Sequence, residues 1–116
     1  MRFSFHFLKK NNDFLRVFKF GRTFFSSGLV IKWMQNNLDY FRFGLVISTK
    51  IDKRAAKRNK IKRRLRAIFR ETAEKIKPGF DFVIIIKPAI KEMDFHQKKA
   101  VVLNFLEKNN LLCLKK

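Results

Sequence analysis

Apolar residues recur along the chain with two different periods, and the changes of period mark its elements. Phe14, Leu15, Val17 and Phe18 make one helical face, with N-cap chemistry at Asn11-Asn12-Asp13 and Gly21 in the C′ position. This predicts a short helix from about Asn12 to Phe20. Ser26-Ser27-Gly28 reads as a turn. Leu29–Met34 then alternates, with Val30, Lys32 and Met34 on one face and Leu29, Ile31 and Trp33 on the other. After the polar stretch Gln35–Asp39, Tyr40–Ser48 is β-branched and aromatic, so the two runs are expected to pair as an antiparallel hairpin. Helical spacing returns at Ile61, Leu65, Ile68, Phe69, Thr72 and Ile76, predicting a helix from about Ala55 to Ile76 that Lys77-Pro78-Gly79 stops. Asp81–Lys87 is almost continuously apolar, the mark of a central strand buried on both faces, and Pro88 ends it. A last helix is expected from about Met93 to Lys108, followed by a Leu-bearing tail that can pack. Before all of these, Phe3, Phe5 and Phe7 alternate with Ser4 and His6, a short extended segment or a mobile arm over residues 1–8.

The predicted order is α-β-β-α-β-α, with room for one extra short strand. That is the α/β (α+β) class, as a two-layer α-β sandwich on a small central sheet. At 116 residues, without repeat or linker, the chain is expected to be one domain.

Charge singles out one helix. Lys50–Arg66 reads KIDKRAAKRNKIKRRLR: ten Lys or Arg against the one acid Asp52, a net of +9 within a chain total of +19. Charge runs are usually solvated faces, but density weakens that reading. Like charges four apart on a helix cost roughly a few tenths of a kcal/mol each. A chain that keeps them, with 47% apolar residues and so a real core, is expected to meet a polyanion. The Arg residues suit bidentate phosphate contacts, and Asn59 inside the run can bond a sugar, a base edge or a phosphate. A DNA-reading basic zipper would continue into heptads, whereas this helix stops at Pro78-Gly79. A sheet beside a Phe-rich first helix favours a pocket for unstacked RNA. Fifteen Phe must mostly fill the core, and those beside positive charge are the stacking candidates.

Other chemistries find little support. His6 and His96 are isolated, the four Gly are scattered, and there is no HExxH, GxSxG or phosphate loop. Cys113 is the single cysteine, which excludes an internal disulfide and reads as a small packing residue. No run approaches the length of a membrane-spanning helix, and MRFSFHFLKK lacks the apolar core of a secretory signal, so the expected address is the cytoplasm.

Ala55-Ala56-Lys57-Arg58-Asn59-Lys60-Ile61-Lys62-Arg63-Arg64-Leu65-Arg66 closely resembles the RNR signature of the protein subunit of bacterial ribonuclease P. Asp13–Gly21 is similar to that family's first helix, Arg42–Lys50 to the strand entering the signature, and Asp81–Pro88 to the strand after it. The chain departs from the pattern at Lys60, where Arg is frequent, at Asp52-Lys53-Arg54, where Gly-Asn is frequent, and at Lys32, where an aromatic residue is frequent.

The resemblance implies an α/β sandwich with the signature on a left-handed β-α-β crossover, against the general right-handed preference. It implies removal of the 5′ leader of precursor tRNA, with the chemistry carried by the RNA subunit and by Mg²⁺ bound mainly to that RNA. No protein side chain is expected to be catalytic. The implied partners are RNase P RNA and the precursor tRNA leader. Lys50, Arg54, Arg58, Asn59, Lys60, Lys62, Arg63, Arg66 and Arg70 are expected to face RNA. Phe14, Phe18 and Lys32 are expected to line the leader cleft, with simple core packing the competing reading of the two Phe. Neither a membrane nor an obligate protein partner is expected. The alternatives are a small basic ribosomal or general RNA-binding protein without a processing role and, with less support, a membrane-active cationic amphipath, against which the apolar strand Phe82–Ile86 argues.

Overall fold

Phe82–Ile86 is apolar at every position because helices cover both of its faces. In the computed structural model, which describes residues 6–113, this run lies in the middle of a five-stranded sheet. The strands are β1 (His6–Phe7), β2 (Arg22–Phe25), β3 (Leu29–Gln35), β4 (Arg42–Val46) and β5 (Phe80–Ile86). The helices are α1 (Asn11–Phe20), α2 (Ala55–Thr72) and α3 (Phe95–Lys108). Short 3-10 turns at Ala73–Lys75 and Pro88–Glu92 follow α2 and β5.

The sheet order is β1-β4-β5-β3-β2. β5 runs parallel to β4 and antiparallel to β3. The expected hairpin between β3 and β4 therefore does not form. The two strands are antiparallel, but β5 lies between them. The hairpin that does form joins β2 to β3 across Ser26-Ser27-Gly28. The most apolar strand takes the place where both faces are covered, and the loop after β3 steps across its end. That loop is held by Asn36 N–H donating to Gly79 O at 2.8 Å and Gly79 N–H donating to Tyr40 O at 3.2 Å. The sheet thus has two short strands beyond the predicted core order, β1 and β2, where the pattern left room for one. His6–Phe7 belongs to the extended alternative, since it pairs with β4 and Leu8 beyond it is buried. Residues 1–5 of the predicted arm lie outside the described residues, as does Leu114 of the tail.

The two predicted faces of β3 are observed. Leu29, Ile31 and Trp33 join Phe43, Phe82, Ile84 and Ile86 beneath α2 and α3. Met34 joins Val83, Val46 and Ile85 beneath α1, on the opposite face. The α-β sandwich therefore has its main helical layer on one side, and α1 crosses the other. Fully burying each Leu, Ile or Phe contributes on the order of 1.5–3 kcal/mol.

Helix ends differ from expectation for local reasons. α1 starts after Lys10, whose side chain has no acceptor to cap the helix, so Asn11, Asn12 and Asp13 lie in its first turn, and Asp13 pairs with Arg42. Gly21 ends α1 with φ −76° and ψ 159°, not in the left-handed region. Glycine is required there by close approach, since a Cβ would overlap the Val17 carbonyl. α2 stops at Thr72 rather than Ile76, because Ile76 becomes extended and bridges Leu112 of the tail. α3 starts at Phe95 rather than Met93, at a capping box between Asp94 and Gln97.

Candidate nucleic-acid interface

α2 is attached to the sheet by a narrow stripe. Leu65, Ile68, Phe69 and Thr72 are buried, and Phe69 stacks on Phe43 at 4.9 Å between ring centroids with planes 12° apart. A stripe of this width leaves most of the helix surface to solvent, and that surface carries the positive charge. No acid occurs between Lys53 and Arg70.

The basic residues do not share one face. Arg58, Lys62 and Arg66 are four apart and form a row along one flank of α2. The Arg66 guanidinium lies 5.8 Å from the Phe7 ring centroid, which puts this row beside β1. Asn59, Arg63 and Arg70 are exposed farther round from the same row. Lys60 belongs to the other flank, where it lines a cavity together with Arg54, Lys57, Arg64, Lys91 and Lys98. The sequence-predicted set is thus split by the helix itself.

The loop entering α2 is organised by the one acid in the basic run. Asp52 is buried and accepts from Arg54 Nε and Nη2, each at 3.0 Å, and from the Arg54 backbone N–H at 3.0 Å. Lys91 Nζ lies 3.4 Å from Asp52 Oδ2, the oxygen that also accepts from Arg54 Nη2. These hydrogen bonds, those of Arg54 first, hold the Asp52 carboxyl well below the usual carboxylate range despite the opposing effect of burial. Arg58 Nη1 donates to the carbonyls of Asp52 at 2.8 Å and Lys53 at 2.9 Å. Arg54 and Arg58 therefore shape the loop before either meets a ligand. Lys50 is exposed on the same loop, its N–H held by Ser48 Oγ at 3.1 Å.

Phe14, Phe18 and Lys32 come together on the α1 face of the sheet. Both Phe are half-buried, packed with Leu8, Val17 and Val83. Phe14 lies over Gly44, where any Cβ would overlap its ring. Lys32 pairs in register with Val83 and donates from Nζ to Thr23 Oγ1 at 2.9 Å. Val46 and Ile85 beside them are half-buried, so this side of the sheet stays open past α1.

The sequence profile described as Ribonuclease P matches residues 4–110. The chain belongs to the ribonuclease P protein family. It is 40% identical over 108 residues to the ribonuclease P protein component of Phytoplasma australiense, covering 92% of this chain and 93% of that protein. It is 35% identical over 105 residues to the component of Clostridioides difficile, covering 90% and 91%. A Staphylococcus aureus RNase P protein mutant with defective mRNA degradation activity superposes with a TM-score of 0.83 at 31% identity, covering 91% of this chain and 89% of that one. The Thermotoga maritima RNase P protein superposes with a TM-score of 0.78 at 34% identity, covering 87% and 94%. The mixed α/β fold read from the pattern is thus that of ribonuclease P proteins, and the chain is a component of a ribonuclease. Among the described residues, no helix is long and apolar enough to cross a membrane.

Several residues that shape this ribonuclease P protein are not legible as site residues in the sequence. Asp81 is fully buried and gathers Arg42, Arg16 and Asn36 around it. Arg16 comes from α1, so this cluster ties the helix of the Phe cleft to the sheet. Its members are separated by up to 65 positions in sequence, and no local spacing announces them. Lys57 and Arg64 lie inside the basic run and are legible by charge. Lys91 and Lys98 come from distant segments and are not.

Proposed function

We propose that the chain acts as the protein subunit of ribonuclease P, docking RNase P RNA on α2 and holding the 5′ leader of precursor tRNA on the α1 face of the sheet. The observation that carries this reading is the row Arg58, Lys62 and Arg66, with Asn59, Arg63 and Arg70 beside it, on a solvent-facing helix free of acids from Lys53 to Arg70. These five cations match an RNA backbone, where each neutralised phosphate adds to affinity and to its salt dependence, and the Asn59 amide adds a neutral hydrogen-bonding group. Lys50 extends the row on the preceding loop. Arg54 and Lys60 meet RNA from the other flank.

Phe14 and Phe18 present ring surface beside Lys32, a pairing of stacking platform and cation that suits an unpaired strand. Their packing on Val17 and Val83 means that each ring also serves the core.

The cleavage chemistry belongs to the RNA and to Mg²⁺ bound mainly by it. The side chains gathered on α2 are ammonium, guanidinium and amide groups, which do not fit a hard dication that prefers carboxylate and phosphate oxygens. Among the described residues, no three His, Cys, Asp or Glu are gathered as a metal site. The protein's own part is to position the two RNA strands and to screen their charge. The expected address remains the cytoplasm.

Reconstitution tests the reading. The protein is combined with RNase P RNA and a leader-bearing precursor tRNA at low Mg²⁺. The expected result is faster 5′ maturation and tighter substrate binding that depends on leader length. Equal rates with and without protein would overturn it.

A further inference from the structure

The cavity between α2 and the start of α3 has a volume of about 260 Å³, well above the roughly 30 Å³ that one water occupies. Six cationic side chains line it: Arg54, Lys57, Lys60, Arg64, Lys91 and Lys98. Asp52 is the one carboxylate in its lining, and it already serves Arg54 and Lys91. Lys57, Lys60, Arg64 and Lys98 have no carboxylate within ion-pair distance among the described residues.

Lys98 is the decisive member. It lies one turn into α3 and the residue is only 4% exposed, while its ammonium opens into the cavity and has no hydrogen-bond partner among the described residues. A largely buried lysine whose ammonium lacks a carboxylate partner is costly. Burial first, then the charges of Arg64 and Lys60, push its pKa down, and Asp94 offsets this in part. Asp94 itself is engaged at the helix cap, accepting from the Gln97 N–H at 2.8 Å. An anion in the cavity counters the repulsion from Arg64 and Lys60 and offsets the cost of burial. Arg64 can offer a phosphate two parallel N–H groups, and the lysines offer point charges.

We propose that this cavity seats a backbone phosphate of the bound RNA, on the flank of α2 opposite the row Arg58, Lys62 and Arg66. The inference rests on the reading of the chain as an RNA-docking subunit and adds a second contact to it. α2 is then held between two segments of RNA backbone rather than lying on one.

Two measurements on the full-length protein test it. In the first, inorganic phosphate is titrated while backbone amides are followed by NMR. Saturable shifts are expected at Lys57, Arg64 and Lys98, and they disappear in Arg64→Gln and in Lys98→Met. In the second, affinity for RNase P RNA is measured across a salt series, with thermal unfolding as a folding control. The pair Arg64→Gln/Lys98→Met is expected to weaken binding about three- to tenfold and to lower the log–log salt slope by about one. Lys75→Gln/Lys108→Gln, in the turn after α2 and at the far end of α3, serves as the charge control and is expected to change little. If the pocket pair behaves like this control while Lys62→Ala/Arg66→Ala loses affinity, the pocket is overturned and the RNA-docking reading stands. If neither pair loses affinity, that reading falls as well. Phosphate-induced shifts with unchanged RNA affinity would make it a site for free phosphate and overturn the RNA assignment.

Discussion

Arg42 and Asp81 face each other in register across the parallel strands β4 and β5, joined by Nε to Oδ1 at 2.9 Å and Nη2 to Oδ2 at 2.8 Å. Arg16 adds a third guanidinium bond to Asp81 at 3.0 Å, and Asn36 Nδ2 a fourth bond at 2.9 Å. Arg42 also reaches Asp13 at the start of α1, at 3.3 Å. One buried carboxylate thus fixes two strands, a loop and the helix that bears Phe14 and Phe18.

Asp81→Asn is expected to destabilise the fold by about 3 kcal/mol or more, because it removes the buried charge that Arg42 and Arg16 share and leaves Arg42 only its longer contact with Asp13. For a chain of this length that is a fall in Tm of about 10 °C or more. Urea unfolding measures it, and a midpoint equal to the wild type would contradict the role assigned to the cluster.

The α2 row separates binding from folding unevenly. Lys62→Ala/Arg66→Ala is expected to leave Tm within a few degrees and to lower RNA affinity, with a salt slope flatter by about one for each phosphate no longer engaged. Arg58→Ala is expected to do both, since Arg58 also holds the carbonyls of Asp52 and Lys53. Thermal melts alongside filter binding check the distinction, which fails if Arg58→Ala melts like Lys62→Ala.

Gly44→Ala places a methyl group where the Phe14 ring lies. The ring must move, and overpacking of this kind typically costs about 1–3 kcal/mol. Leader-dependent substrate binding is expected to weaken while affinity for RNase P RNA is kept. Equal losses for both RNAs would show that the cleft and α2 do not act separately.

Lys98 gives a pH dependence of defined sign. Its folded-state pKa lies below the ordinary lysine value of 10.5, so between the two values the unfolded chain holds more protons and stability rises with pH. Below that window the cost of burying the ammonium is fully present. In phosphate-free buffer, Lys98→Met is expected to raise Tm at neutral pH, with the gain shrinking as pH climbs toward 10.5. A gain that grows with pH would reverse the assignment.

What is legible in the sequence follows from period. Alternation puts Leu29, Ile31 and Trp33 on one face of β3, and the continuous run Phe82–Ile86 marks the central strand. The stripe through Leu65, Ile68 and Phe69 marks the side by which α2 attaches. Periodicity reports which way a side chain points, but it does not name the neighbour. Hence the pattern pairs β3 with β4 although β5 separates them, and it shows no strand at Arg22–Phe25. Four residues on a sheet edge carry too little pattern, and the β3 partner decides their state.

The sequence by itself determined the mixed α/β class, the position of the basic helix and the charge that demands a polyanion, because each depends on residue type and spacing within one segment. Tertiary structure decided how that charge is used. Packing the narrow stripe of α2 against Phe43 divided the basic residues into two flanks, one beside β1 and one facing α3. It also brought Lys98 under Arg64 and Asp81 between Arg42 and Arg16. Those pairings are set by distance in space, with which charge and hydrogen-bond interactions fall off, and that distance has no fixed relation to distance along the chain.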